Sequence, residues 1–158
     1  MIETIYLDMD GVLVDFNKQY EEMYGVIARH DRNIRTNWFN AVDRNVFLEA
    51  PPMPDADELM RYVFSTDCNV EILSSLSHRE NYLKVQEQKE QWLEEHGLQG
   101  LKRNFVRNKN EKAQWATPTS LLIDDSAGCV DPFIKANGRA ILHLSARETI
   151  IQAKELIG

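Results

Sequence analysis

Four short stretches of the chain carry side chains that could do chemistry together. Asp8 and Asp10 stand in IYLDMDGVLVDF (residues 5–16), and Ser74 and Ser75 in EILSSLS (71–77). Lys109 and Lys112 stand in VRNKNEKAQWA (106–116), and Asp124 and Asp125 in LLIDDSAG (121–128). Singly, each has an ordinary explanation. Asp-Gly between apolar runs is a hairpin signal, an Asp pair after a strand can cap a helix, serines form turns, and lysines beside Asn and Gln are solvated. Jointly they point to one site. Carboxylates converging on a point repel one another unless a cation sits among them, and hard oxygen ligands favour Mg2+. A lysine and hydroxyl groups beside that ion suit a phosphoryl dianion.

Convergence depends on the elements between these stretches. TIYLD (4–8), VEIL (70–73), NFV (104–106), SLLID (120–124) and RAILHL (139–144) read as strands, several apolar at successive positions as in a sheet covered on both faces. Helix signals separate them. SHRE (77–80) has the pattern of a capping box opening a helix that runs to Gly97, and SARE (145–148) repeats it before the C-terminal helix. Another helix is expected from Ser126 to Asn137, stopping at Gly138. This alternation predicts an α/β fold: a three-layer α/β/α, Rossmann-like parallel sheet whose strand ends bring the four stretches to one edge. The segment 15–54 breaks the alternation. It holds Phe16, Tyr20, Tyr24, Trp38, Phe39 and Phe47, and ends in APPMPDADE (50–58), where Asp55 is placed to cap the next helix. It reads as a small helical cap inserted after the first strand, its aromatics forming their own small core. Residues 1–14 and 55–158 then make the core domain.

Composition narrows the function. The chain has 158 residues, 43% hydrophobic and 27% charged, with a net charge of −7, which weighs against a general nucleic-acid-binding surface or a stable nucleic-acid complex. Cys68 and Cys129 form no metal-binding pattern, and MIETIYLD shows no secretion signal, so a reducing cytoplasmic setting without a membrane is expected. Oligomeric state is not legible.

The motif set resembles the haloacid dehalogenase superfamily of phosphotransferases. Asp8-Met9-Asp10-Gly11 matches its first motif, Ser74 the strand-end Ser/Thr of the second, and Asp124-Asp125 the acidic pair of the fourth. The resemblance spans the whole chain and implies a phosphatase. In it Asp8 attacks phosphorus, and Asp10 protonates the leaving alcohol and then activates water. Asp8, the Asp10 backbone carbonyl and Asp124 hold Mg2+, with Asp125 behind them. Ser74 and Ser75 contact phosphoryl oxygens, and Gly11 lets the backbone approach closely.

Three lysines compete for the third-motif role: Lys112, placed first, then Lys109, and Lys89 in KEQWL (89–93). Within the superfamily the sequence looks most like the 5′(3′)-deoxyribonucleotidases, on DMDGVLVDF, KEQWL, LLIDDS and ILH (141–143). That likeness implies a nucleoside monophosphate substrate with Phe16 beside the base. Trp38, Phe39 and Phe47 are further pocket candidates, and His143 reads as structural. The alternatives are another phosphatase substrate (a 3′-phosphorylated polynucleotide or a sugar phosphate) or a non-catalytic domain of this fold.

Overall fold

The computed structural model describes Met1–Gly158 throughout, and five parallel strands form its centre. They are β1 (Thr4–Leu7), β2 (Asn69–Ser75), β3 (Lys102–Val106), β4 (Ser120–Asp124) and β5 (Arg139–Leu142), in the order β3-β2-β1-β4-β5. All residues of β4 are buried, as its unbroken apolar run requires. Strand alternation divides the core. Ile5, Leu7, Ile72, Leu121 and Ile123 join one cluster with Leu59 of α4 (Ala56–Ser65), Trp92 and Leu93 of α5 (Tyr82–Glu95) and Ala153 of α7 (Ala146–Ile157). Leu73 and Leu122 join Cys129 and Phe133 of α6 (Ala127–Lys135). This is the expected three-layer arrangement, with small shifts at the strand ends.

Residues 15–54 carry α1 (Phe16–Tyr24), a 3-10 turn (Ala28–His30), α2 (Ile34–Asp43) and α3 (Val46–Glu49). Asp15 caps α1 by accepting from the Lys18 amide at 3.2 Å. The aromatics do not form a separate core: Tyr20, Trp38, Val42, Val46 and Phe47 pack in one cluster with Leu76 and Val85, which belong to β2's exit and α5. Polar ties reinforce that seam. Buried Gln88 of α5 donates to the Val42 carbonyl at 2.7 Å and accepts from the Phe47 amide at 3.2 Å, and Trp92 Nε1 donates to the Ala50 carbonyl at 2.8 Å. The inserted helices are thereby fastened to α5.

Three expected helix boundaries are corrected. Ser77–Glu80 does not cap α5, which starts after Asn81; Ser77 adopts a left-handed φ of 102° and its hydroxyl accepts only from Arg79. The reason is Arg107, whose guanidinium donates to the carbonyls of Ser77, His78 and Arg79 at 2.9, 2.8 and 3.3 Å and strings them out as a loop. Helix α6 ends at Lys135, and Asn137, with φ 69°, makes the reversal; at Gly138 any Cβ would overlap the Phe133 ring. Asp55 does not cap α4 with its side chain. It accepts instead from the Ala146 amide at 2.7 Å, fixing the start of α7, where Ser145 accepts from Glu148 as its SARE pattern predicts.

Candidate active site

Register brings the acids together. Leu7 pairs with both Ile72 and Ile123, so Asp8, one residue on, emerges beside Asp124, and its amide donates to the Ile123 carbonyl at 3.0 Å. Asp8, Asp124 and Asp125 each offer an oxygen within 4.8 Å of the others. The chain then turns sharply: the Val12, Leu13 and Val14 amides all donate to the Met9 carbonyl, and Gly11 takes a φ of 82°. The Asp-Gly turn is therefore real, but it closes a loop rather than a pair of long strands; only isolated bridges join Val14 to Asp10 and to Pro52. Gly11 is required twice over, since its φ disfavours a side chain and any Cβ would collide with the Asp125 carboxylate. The side chain that lies against Gly11 is Asp125.

Two lysines are buried in the site, each with its own carboxylates. Lys112, 1% exposed, bridges Asp8 Oδ1 at 2.9 Å and Asp124 Oδ2 at 2.7 Å. Burial opposes its charge, but the Asp8 and Asp124 charges outweigh that and hold its pKa above the usual lysine value. It is delivered by a 3-10 helix (Lys109–Trp115), started by a reciprocal capping box in which Asn108 accepts from the Glu111 amide and Glu111 accepts from the Asn108 amide. Lys89, 2% exposed, comes from α5 and donates to Asp10 Oδ2 at 3.0 Å, to Ser74 Oγ at 2.8 Å and to the Ser75 carbonyl at 2.8 Å. Lys109 is exposed and reaches only Ser126 Oγ, at 3.4 Å.

Asp10 is split between two environments. Its Oδ2 is held by Lys89, while Oδ1 is shut from solvent and has no hydrogen-bond partner, although the side chain as a whole is one-third exposed. Burial, countered in part by Lys89, lifts its pKa above the ordinary carboxylate value. Asp124 and Asp125 are raised as well, first by loss of water around the carboxyls and then by the charge on Asp8; Asp125 keeps an exposed edge on the cleft. Four carboxyl groups thus stand against only two buried ammonium groups. The donor set is all oxygen and suits Mg2+. The convergent oxygens of Asp8, Asp124 and Asp125 are the feature by which these residues fit such an ion.

The acids open into a cleft of about 490 Å3. Phe16, Trp38 and Phe47 line it, with Phe16 stacked on Phe47 at 5.0 Å between centroids. Phe39 is 41% exposed and lies elsewhere. Of the two serines expected to contact phosphoryl oxygens, Ser75 lines the cleft, whereas Ser74 is fully buried and accepts from Lys89 at 2.8 Å. Lys89 likewise faces Asp10 rather than the cleft. His143 is buried, its Nδ1 2.7 Å from Thr149 Oγ1, and burial lowers its pKa, in keeping with a structural role. Sequence reasoning gave no site role to His78, Arg79 or Arg107, which also line the cleft. No local pattern marks them, because their position depends on the loop that Arg107 holds. Asn108-x-x-Glu111 did carry a signal, the capping-box spacing that fixes Lys112.

No protein-family model and no curated protein sequence matches the chain. Among solved structures it resembles a HAD-superfamily hydrolase of subfamily IA from Geobacter sulfurreducens, at 15% identity over 99% of this chain and 97% of that one, with a TM-score of 0.57. A putative beta-phosphoglucomutase from Thermotoga maritima aligns at 15% identity over 98% and 100%, with a TM-score of 0.52. An L-2-haloacid dehalogenase from Xanthobacter autotrophicus with chloropropionic acid covalently bound aligns at 12% identity over 89% and 76%, with a TM-score of 0.54. The chain therefore shares the fold of haloacid dehalogenase-like hydrolases. No helix is long and apolar enough to cross a membrane.

Proposed function

We propose that the chain is a Mg2+-dependent phosphomonoester hydrolase of the haloacid dehalogenase superfamily that works through an aspartyl-phosphate on Asp8, with (deoxy)ribonucleoside monophosphates as substrates. The observation that carries the reading is the pairing of two differently set carboxylates, Asp8 on Lys112 and Asp10 on Lys89 with Oδ1 unpartnered. Asp8, ion-paired to Lys112, is the nucleophile: its oxygen forms a bond to phosphorus as the bond to the leaving alcohol breaks. Asp10, lifted in pKa, holds a proton for that alcohol and then takes one from the water that hydrolyses the acyl phosphate. Ser75 and Lys112 line the cleft and would contact the phosphoryl group there. Asp8, Asp124 and the Asp10 carbonyl would hold Mg2+, which supplies charge neutralisation at the phosphoryl oxygens when bound.

The Xanthobacter enzyme binds chloropropionic acid covalently, so this fold also serves carbon–halogen displacement. A halide leaves without a proton and needs no divalent cation, whereas this chain has Asp10 and surplus carboxylates, which favour an ester. The aromatic lining at Phe16, Trp38 and Phe47 supports a nucleoside leaving group over a sugar phosphate, which would seek hydrogen-bonding walls. A substrate panel of deoxy- and ribonucleoside monophosphates, sugar phosphates, 3′-phosphorylated oligonucleotides and an aryl phosphate tests this, with Asp8→Asn as the control. The expected result is Mg2+-dependent turnover, fastest on nucleotides and absent in the variant. Equal rates on nucleotides and sugar phosphates would remove the nucleotidase assignment, and turnover by Asp8→Asn would remove the mechanism.

A further inference from the structure

The cleft carries cations that the phosphoryl chemistry does not use. Lys112 is paired with Asp8 and Asp124, and Lys89 with Asp10, Ser74 and the Ser75 carbonyl, but Arg79, also on the cleft, has no carboxylate within 4.0 Å in a chain of net charge −7. The only side-chain hydrogen bond its guanidinium makes within the protein runs from Nη1 to Ser77 Oγ at 3.5 Å, beside one from its own amide to the same oxygen at 3.2 Å. Arg107, by contrast, spends its guanidinium on three carbonyls and on the Tyr82 ring, 3.7 Å away, and so serves as the strap that holds Arg79's loop.

The position of Arg79 can be followed ring by ring from the acid/base group. Asp10 pairs with Lys89 at 3.0 Å, and the Lys89 ammonium lies 5.0 Å from the Phe47 ring. Phe47 meets Trp38 edge-on at 5.7 Å, and the Arg79 guanidinium lies over the Trp38 ring at 4.8 Å. Asn81 Oδ1 accepts from Trp38 Nε1 at 3.1 Å, so the indole that carries Arg79 is itself fixed. Asp10, Phe16, Phe47, Trp38 and Arg79 all line the same cleft, so a leaving group seated there runs from Asp10 towards a guanidinium with free donors. Guanidinium is suited to phosphate by shape as well as charge.

We infer that Arg79 forms a second phosphate subsite, so that the preferred substrates carry a phosphate on the leaving group in addition to the one hydrolysed. This inference rests on the reading of the cleft as a phosphomonoester site. Two sources share that chemistry, a nucleoside 3′,5′-bisphosphate and a phosphorylated strand end, whose neighbouring phosphodiester occupies the same place.

The test is a binding titration of the Asp8→Asn protein in Mg2+, which reads the subsite without turnover. The probes are deoxythymidine 5′-monophosphate, deoxythymidine 3′-monophosphate, deoxythymidine 3′,5′-bisphosphate and a 3′-phosphorylated thymidine trinucleotide. The bisphosphate is expected to bind roughly ten-fold tighter than either monophosphate, the scale of one charge-assisted contact at a partly exposed site. Adding Arg79→Ala should bring that ratio to about one, while Arg79→Lys keeps part of it. A trinucleotide that shares the advantage identifies strand ends as the source; one that does not identifies the small bisphosphate. Equal binding of mono- and bisphosphate, no binding of any probe, or an Arg79→Ala loss that leaves the ratio intact would overturn the subsite, the last making Arg79 a support for Trp38. Failure of the unsubstituted protein to hydrolyse any phosphate ester would instead remove the phosphatase reading, because the ratio is measured apart from it.

Discussion

Replacing Lys112 by Met isolates the electrostatics of the site. Lys112, Asp8 and Asp124 are 1%, 7% and 0% exposed, so removing the ammonium leaves two buried carboxylates facing each other with no bridging cation. Breaking a buried ion pair by deleting one partner costs about 3–5 kcal/mol. For a chain of this length that corresponds to a fall in Tm of roughly 6–20 °C. The loss should depend on pH with a definite sign. Asp124 already has a raised pKa with Lys112 present, and losing that ammonium raises it further. It takes up a proton in the native state on acidification, so the penalty is largest near pH 7.5 and shrinks towards pH 5. Urea unfolding of both proteins at the two pH values, without metal, measures this. Lys109→Met is the control: its side chain is exposed with a single 3.4 Å contact, so a change within about 0.5 kcal/mol is expected. A Lys112→Met loss below about 1 kcal/mol, a loss equal at both pH values, or a larger loss for Lys109→Met would refute the buried-bridge reasoning.

Gly11→Ala should destabilise by about 1–3 kcal/mol from the positive φ and the collision with Asp125, and should depress turnover more than distant changes of equal cost; thermal melts and steady-state kinetics read both. Gln88→Leu should cost about 1–3 kcal/mol, because the Val42 carbonyl and Phe47 amide lose their buried partner, with fluorescence of Trp38 reporting a loosened cap seam. Mg2+ should raise Tm more at pH 8 than at pH 5. The raised pKa values of Asp124 and Asp125 mean that the native state binds their protons more tightly than the unfolded chain, so the stability they contribute is present in acid and is lost as pH rises from about 4 through the raised values. Protons then compete with the ion in acid, and a pH-independent Mg2+ shift would contradict this.

The sheet was legible because its strands are short apolar runs between polar helices, and a parallel sheet leaves no choice about which edge receives their C-terminal residues. That is why Asp8, Asp10, Asp124 and a lysine could be gathered from sequence alone. The finer assignments failed where a long-range contact overrode a local pattern. Ser77–Glu80 has capping-box spacing, but Arg107, thirty residues downstream, claims its carbonyls. Asp55 caps an element ninety residues away instead of its own helix. Ser74 and Ser75 are adjacent and chemically identical, and only the strand pleat, which turns one into the core and the other to the cleft, separates them. The two lysines needed no choice, since each serves a different carboxylate.

The central claim is that Asp8 accepts the phosphoryl group. Brief incubation of the Asp10→Asn variant with a radiolabelled phosphate ester and Mg2+, followed by acid quench and peptide mapping, tests it directly, because loss of the acid/base group slows breakdown of the intermediate. The account predicts a hydroxylamine-labile label on the peptide containing Asp8, absent when Asp8 is also replaced. An unlabelled Asp8 peptide in protein that still turns over the ester would contradict it.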